Sequence, residues 1–171
     1  MMRWTKVFLA LGALAIAGCE TASTDTDNDA AARLRTTEPV SMASEAPDPG
    51  ALKGYGIPSG RCGMVLWARA GKAAVPIFQT LDSGKGVMEI DGEQATLTRV
   101  RVNGVARAGM PQMQVFQTRL SDGRSVEIEA NTVWGEAFPG GSYVERGTIS
   151  LTGSDGWSRV TPVAGIAGCK A

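Results

Sequence analysis

The side chains that could carry out catalysis in this chain are carboxylates, a serine in a glycine-rich segment and three cysteines, because the sequence contains no histidine. Without histidine, Ser-His and Cys-His pairs and histidine-ligated metals are excluded in their ordinary forms. Glu127 and Glu129 could in principle form a glycosidase pair. Residues two apart on a strand share its outward face, however, where charges usually meet water. Ser142 follows two glycines and has no general base to activate it. We therefore predict that the protein is not an enzyme and holds no metal or cofactor.

The charge balance bears on the kind of partner. The chain has 17 basic and 17 acidic residues, so its formal net charge is zero. Nucleic-acid-binding domains are usually strongly basic, and we therefore expect no nucleic-acid partner. Several basic residues could still share one face and meet an anionic envelope component such as lipid A or peptidoglycan, the alternative being ordinary charges that keep the domain soluble. They are Arg69, Lys72, Arg99, Arg101, Arg107, Arg119 and Arg124.

The first 18 residues have the features of an export signal. Arg3 and Lys6 precede an apolar run from Val7 to Ala17, which is too short for a permanent membrane span. Residues 16–19 read Ile-Ala-Gly-Cys, which resembles the lipobox of bacterial lipoproteins at every position. We predict a lipoprotein signal peptide at 1–18 and lipidation of Cys19. The alternative is an ordinary signal peptide with a chance cysteine.

Lipidation would determine where the protein resides. The two or three acyl chains of a bacterial lipoprotein anchor it stably, whereas one chain binds only marginally. Residue 20 is Glu rather than Asp, and in the lipoproteins that this chain resembles Asp at that place favours the inner membrane. The resemblance thus implies a lipid-anchored protein of the outer membrane that faces the periplasm.

Composition divides the mature chain into two parts. Residues 19–60 are rich in Thr, Ser, Ala, Asp and Pro, and from residue 20 onward they carry seven acidic and three basic residues. Such a composition buries too little apolar area to offset the entropy of ordering, so we predict a flexible tether over 19–60. The remaining residues, 61–171, form a small domain that needs an additional covalent or packing constraint.

Two cysteines can supply that constraint. Cys62 and Cys169 lie at the two ends of the predicted domain. An even pair in an exported protein indicates a disulfide, and a catalytic thiol is disfavoured because no histidine is available to activate it. We predict that this bridge joins the first strand of the domain to the last.

Turn signals and alternation predict an all-β domain. Asp-Gly occurs at 91–92, 122–123 and 155–156, each time between runs that alternate polar and apolar residues. Asn103-Gly104 indicates a further turn, and a shift of parity after Thr98 indicates a bulge near Thr98–Arg99. These patterns predict eight or nine short strands, including separate ones over 157–162 and 164–169. They form a small antiparallel barrel or sandwich, and a barrel is preferred because it leaves no free edge.

Aromatic residues indicate where the domain could bind. Trp67 lies in an apolar strand and is predicted to be in the core, and Trp157 is predicted to cap the core near Cys169. Trp134, Phe138 and Tyr143 surround a Pro-Gly-Gly segment. They could form an exposed binding tip, although packing in the core or at its rim is the preferred interpretation for Trp134.

Two segments are the candidates for a protruding binding loop. They span 103–112 and 133–143, and we name Asn103, Arg107, Trp134, Phe138 and Tyr143 as candidate binding residues.

Three features of the domain point to a known family. Cys62 follows the predicted tether, Cys169-Lys170 lies at the end of the domain, and residues 86–97 read Gly-Val-Met-Glu-Ile-Asp-Gly-Glu-Gln-Ala-Thr-Leu. In these features the domain resembles the membrane-bound inhibitors of C-type lysozyme, and the resemblance implies an eight-stranded antiparallel barrel on a lipoprotein. That family inserts a Ser-Gly-x-x-Tyr loop into the enzyme and carries a Trp-x-Lys-Gly motif. Here the corresponding segments read Asn-Gly-Val-Ala-Arg (103–107) and Trp-Gly-Glu-Ala (134–137), so no inhibitory residue is carried over.

Together these features predict an outer-membrane lipoprotein that acts as a non-enzymatic binding or structural module of the envelope. Its partner would be an envelope protein, peptidoglycan or lipid A. The alternatives are a periplasmic inhibitor of a lysozyme or protease and, less favoured, an enzyme that acts on a glycan.

Overall fold

The computed structural model describes residues 45–171, and these form a closed antiparallel β-barrel of eight strands with one additional short strand. The strands are β1 (Pro49–Gly50), β2 (Arg61–Ala70), β3 (Ala73–Leu81), β4 (Lys85–Ile90), β5 (Glu93–Arg107), β6 (Met110–Arg119), β7 (Ser125–Phe138), β8 (Gly141–Gly153) and β9 (Ser158–Lys170). β2 to β9 pair in sequence order, and β9 closes the barrel against β2. Within 45–171, no helix is long and apolar enough to cross a membrane. The prediction of an all-β barrel is confirmed.

The period-two alternation of the sequence places one face of each strand inside the barrel. Val126, Ile128 and Ala130 of β7 are buried, for example, while the two glutamates between them lie on the outer face. At the centre, the rings of Phe78 and Phe116 meet edge to face with centroids 5.3 Å apart. The core is thus one continuous cluster of buried side chains across the barrel.

The connections between strands confirm the predicted Asp91-Gly92 turn and correct the one at Asn103-Gly104. Asp91 and Gly92 both have positive φ, 51° and 82°, as a tight hairpin turn of this kind requires. Asn103-Gly104 is not a turn, because β5 continues to Arg107 and the chain reverses at Ala108-Gly109. Gly104 instead occupies an irregularity in the β5–β6 pairing between Asn103 and Ala106. The bulge predicted near Thr98–Arg99 is present between Arg99 and Arg101.

The last strand also differs from the prediction. Residues 158–170 form one strand, β9, where the sequence indicated two. Between Val160 and Gly168 most residues are apolar on both faces of the strand. The alternation of polar and apolar residues therefore does not show where a strand begins or ends within this run. β9 pairs with β8 along its length and with β2 from Val163 to Lys170.

The predicted disulfide is present. Cys62 of β2 and Cys169 of β9 are direct cross-strand partners, bridged over a sequence separation of 107 residues. The bridge lies at one end of the barrel, together with the turns near residues 82–84, 108–109 and 139–140, and we call this the disulfide end. The turns near 71–72, 91–92, 121–124 and 154–157 lie at the other end, which we call the entry end.

Residues 45–60 correct the predicted domain boundary, because they pack against the barrel instead of continuing a tether. β1 pairs with Glu89 and Ile90 of β4, and the N–H of Leu52 donates to the carbonyl of Pro76 in β3 at 2.8 Å. β1 therefore fills a seam where β3 and β4 separate. Leu52 is only 7% exposed. Residues 19–44, including the predicted lipidation site Cys19, lie outside the described residues.

The rest of this segment runs along the outside of the barrel. Tyr55 meets Trp67 edge to face, with ring centroids 6.0 Å apart, and Gly56 exchanges two hydrogen bonds with the side chain of Gln79. Val65 faces outward on β2 yet is only 3% exposed. The segment thus covers apolar area on β2 and β3 that would otherwise meet water.

Candidate binding surfaces

An ion pair organises the disulfide end. The Nε of Arg61 donates to Oδ1 of Asp82 at 2.9 Å, Nη2 of Arg61 bonds the same oxygen, and the N–H of Cys62 donates to Oδ2 at 3.3 Å. The hydrogen bond from Arg61 is the main cause that lowers the pKa of Asp82 below its ordinary value. The pair fastens the β3–β4 turn beside the bridge and helps to hold this end in one geometry.

The β5–β6 hairpin is tied to β7 and β8 at the same end. Nη1 of Arg107 donates to the carbonyl of Gly135 at 2.8 Å and to Oγ of Ser142 at 3.1 Å. Nε1 of Trp134 donates to the carbonyl of Val105 at 3.0 Å, and its ring packs against the core. The segments 103–112 and 133–143 are thus mainly strand and are hydrogen-bonded to each other. The two candidate segments are therefore strands joined by short turns rather than loops, and Trp134 packs at the rim of the core, within the preferred interpretation.

Phe138 and Tyr143 form an aromatic pair beside the Pro-Gly-Gly turn. Their ring centroids are 5.0 Å apart, with the ring planes inclined at 57°. Tyr143 is 51% exposed, while Phe138 is half-buried beneath the turn. Tyr143 is the cross-strand partner of Ile166 on β9. The pair therefore presents a partly exposed aromatic surface that continues onto the last strand.

The outward face of β9 is apolar from Val160 to Ile166. Val160, Pro162, Ala164 and Ile166 alternate with inward-facing residues and are all exposed, with Val160 at 59% and Ile166 at 36%. No charged side chain interrupts these four positions. With Tyr143 they form a surface that we call the β9 stripe. Because monomeric domains rarely expose a contiguous apolar patch of this kind, it is a candidate contact surface.

Two tryptophans lie near this surface, and both correct the predictions. Trp67 is half-buried on the outer face, opposite Ala164, and is not in the core. Trp157 is 62% exposed and lies at the entry end, just before β9, whereas Cys169 lies near the other end of that strand. Trp157 therefore does not cap the core near Cys169. An indole that is apolar over most of its area and left in water is typical of a surface used for contact.

A groove of about 570 Å³ crosses the outer face of β5 to β8. Asn103 lines it, and its Oδ1 accepts a hydrogen bond from the N–H of Gly104 at 2.7 Å. Met113, Asn131 and Arg146 also line it, and none of its lining residues within 45–171 is a carboxylate. The groove offers amide, hydroxyl and guanidinium groups for recognition.

The carboxylates considered for catalysis have structural partners on the outer face. Glu129 accepts a hydrogen bond from Nδ2 of Asn131 at 2.5 Å, and Glu127 accepts one from Nε2 of Gln117 at 3.4 Å. Ser142 is buried and holds the hairpin by donating to the carbonyl of Glu136 at 3.2 Å. Among the residues that the structure describes, no three His, Cys, Asp or Glu side chains are grouped for a metal.

The structure places Arg107, Trp134, Phe138 and Tyr143 at the disulfide end, and Asn103 lines the groove on the outer face. Arg107 and Trp134 are used to fasten the hairpin, which leaves Tyr143 as the most accessible aromatic of the group. Sequence reasoning missed the β9 stripe. The signal was available in the apolar residues at alternate positions from 160 to 166.

Comparison with known proteins adds no identity. No family model matches the chain, and neither the curated proteins nor the solved structures contain a match.

Proposed function

We propose that this protein is a lipid-anchored, non-enzymatic module of the outer membrane that faces the periplasm and holds an envelope protein on its β9 stripe. The observation that carries the proposal is the stripe itself, an uncharged and exposed apolar face on an otherwise well-packed barrel. The export signal and the Ile-Ala-Gly-Cys box support the anchor.

The path of the chain supports a role in display. The described residues begin at Glu45 at the entry end, where Pro47 is buried and Asp48 exchanges hydrogen bonds with Asp91 in the β4–β5 turn. A lipid at Cys19 would connect to the domain through residues 20–44, and hence at this end. The disulfide end and Tyr143 lie at the opposite end of the strands, where a membrane-attached domain would present them to a partner.

The anchor is tested by replacing Cys19 with Ala or Ser and fractionating the cells. We expect the unaltered protein in the outer-membrane fraction and both variants in the soluble periplasmic fraction. Mass spectrometry of the mature N-terminus should show acylated Cys19. A variant that remains in the membrane, or a mature chain that begins at another residue, would exclude the lipoprotein hypothesis.

The stripe is tested by placing a photo-crosslinking amino acid at Ile166 in living cells and identifying what it captures. We expect one prominent envelope protein, and a loss of the adduct when Val160 is replaced by Ser. The matched control is Val105→Ser, which removes a similarly exposed valine, at 67%, from another strand. Capture of peptidoglycan or lipopolysaccharide instead, or equal effects of the two serine variants, would refute the protein-binding stripe.

A second candidate function is inhibition of a lysozyme or a protease. It is favoured by one observation, the eight-stranded barrel closed by a bridge between Cys62 and Cys169, which is the architecture that the resemblance to lysozyme inhibitors implies. Titration of lysozymes and secreted proteases with micromolar protein tests it. An unchanged enzyme rate throughout the titration would exclude inhibition.

A further inference from the structure

One strand of the otherwise closed barrel has a free edge. β5 pairs with β4 only as far as Thr98, which lies opposite Lys85, and the last backbone hydrogen bond on that side runs from the N–H of Arg99 to the carbonyl of Gly84 at 2.9 Å. Beyond this point β5 continues to Arg107 and pairs only with β6 in the described part of the chain. Residues 100–107 are all exposed.

This edge combines unpaired backbone with exposed apolar side chains. Val100 is 52% exposed and Val102 is 49% exposed. Residues 101–103 pair regularly with β6, after the bulge at Val100 and before the second irregularity between Asn103 and Ala106. Unpaired N–H and C=O groups on an extended edge are a template for a further strand.

All the charged side chains of the β5–β6 hairpin that carries this edge, after Glu93, are basic. Between Glu93 and Asp122 the sequence has no acidic residue and four arginines. Two of them are occupied, since Arg99 donates to Gln114 at 3.0 Å and to the carbonyl of Asp82 at 3.2 Å, and Arg107 fastens the hairpin to β7 and β8. Arg101 is exposed and has no ion-pair partner among residues 45–171.

Lys85 adds a second positive charge at the base of the edge. It is exposed, and its Nζ donates only to Oγ1 of Thr98, at 3.1 Å. The nearest carboxylate of the adjoining turn, on Asp82, is already paired with Arg61. The edge therefore presents two available cations beside a row of free backbone groups.

We propose that the free edge of β5 binds an extended acidic segment of another polypeptide by strand addition. Backbone hydrogen bonds along residues 100–103 would supply affinity, Val100 and Val102 would contact apolar side chains of the added strand, and its carboxylates would pair with Arg101 and Lys85. A second copy of this chain does not fit, because antiparallel β5–β5 pairing brings the arginines of two basic strands together. The inference concerns a surface other than the β9 stripe and stands independently of the proposed function.

The experiment measures binding of a fluorescent peptide of about eight residues that alternates glutamate and valine, by anisotropy at low salt. Two altered peptides serve as probes: one has lysine in place of glutamate, and the other has N-methyl groups at alternate backbone nitrogens. We expect saturable binding of the acidic peptide and none of the lysine peptide. N-methylation should weaken binding at least about tenfold, because it removes several hydrogen bonds and leaves every side chain in place.

On the protein side, Arg101→Glu is compared with Arg119→Glu. Both change the net charge equally within the same basic hairpin, but Arg119 lies on β6, which is paired on both sides. We expect Arg101→Glu to weaken binding about five- to tenfold, since an exposed ion pair is replaced by repulsion, and Arg119→Glu to change it less than twofold. Amide exchange should slow at residues 100–103 in the complex and not along β9.

Three outcomes would overturn the proposal. Equal binding of the N-methylated peptide would indicate adsorption by charge alone. Equal effects of the two glutamate variants would mean that the edge is not the site. Dimerisation of the protein through β5, detected by sedimentation and abolished by Arg101→Glu, would show that the edge serves self-association instead.

Discussion

Replacing Leu52 with Ala tests whether residues 45–60 belong to the folded domain. Leu52 is 7% exposed, and its N–H bonds the carbonyl of Pro76 in the seam that β1 fills. The substitution removes three carbon atoms and keeps the backbone hydrogen bond. At about 0.8 kcal/mol for each buried methylene-sized group, with some allowance for the cavity, the loss of unfolding free energy is about 2–3 kcal/mol.

Thermal unfolding followed by circular dichroism measures this loss. For a domain of this size, about 3–4 °C of midpoint corresponds to 1 kcal/mol, so the midpoint should fall by roughly 6–12 °C. The matched control is Lys53→Ala at the next position, where the side chain is 80% exposed and lies 4.0 Å from Glu89. That change should alter the unfolding free energy by less than about 0.5 kcal/mol.

Two truncated chains complete the test. A chain that begins at Glu45 should unfold at the same temperature as the mature protein, whereas a chain that begins at Arg61 should be less stable because its seam and the outer face at Val65 are uncovered. If the two chains have the same midpoint and Leu52→Ala has no effect, residues 45–60 contribute nothing to the fold and the boundary at 61 is correct.

Three further predictions follow from the barrel. Replacing Cys62 and Cys169 together with Ser should lower the unfolding free energy in urea by up to about 4.8 kcal/mol, the loop-entropy value for their separation; an unchanged urea midpoint would refute the role of the bridge as a staple. Since the pKa of Asp82 is lowered by Arg61, the stabilisation from this pair is present above the ordinary carboxyl range and is lost as the pH falls through the lowered pKa. In the Asp82→Asn variant the unfolding free energy should therefore fall less steeply as the pH is lowered below the ordinary carboxyl range. A slope equal to that of the unaltered protein would contradict this. Phe116→Ala should cost about 3–5 kcal/mol by leaving a cavity in the centre of the core, measured by the same urea titration, and a loss below about 1 kcal/mol would show that the core is not packed there.

The candidate surfaces show what local patterns can and cannot specify. Arg107, Trp134 and Tyr143 could be named as candidates because they lie in or near glycine-containing segments predicted as turns. Their separate contacts could not be predicted, because the hydrogen bonds from Arg107 to Gly135 and from Trp134 to Val105 join strands that are distant in sequence. Tyr143 shares the outer face with its cross-strand partner Ile166 and is 51% exposed, which depends on what packs around both strands.

The segment before the barrel shows the same limit. Its composition has too few apolar residues to form a core of its own, which is the reason for predicting a tether. Composition carries no information about whether another part of the molecule offers unpaired backbone. The gap between β3 and β4 does so, and β1 and Leu52 occupy it.

The sequence by itself determined the class of fold, most of the strands, the inward-facing residues and the pairing of Cys62 with Cys169. These follow from short-range rules, since side chains alternate along a strand, glycine permits positive φ in turns, and an even pair of cysteines at the two ends of one domain can only bridge to each other. Only the tertiary structure decided which outward faces remain uncovered. Whether an outward-facing side chain is exposed depends on what packs beside and over its strand. The closure of the barrel determines which strands are neighbours. The same closure left β9 with an apolar outer face and β5 with a free basic edge.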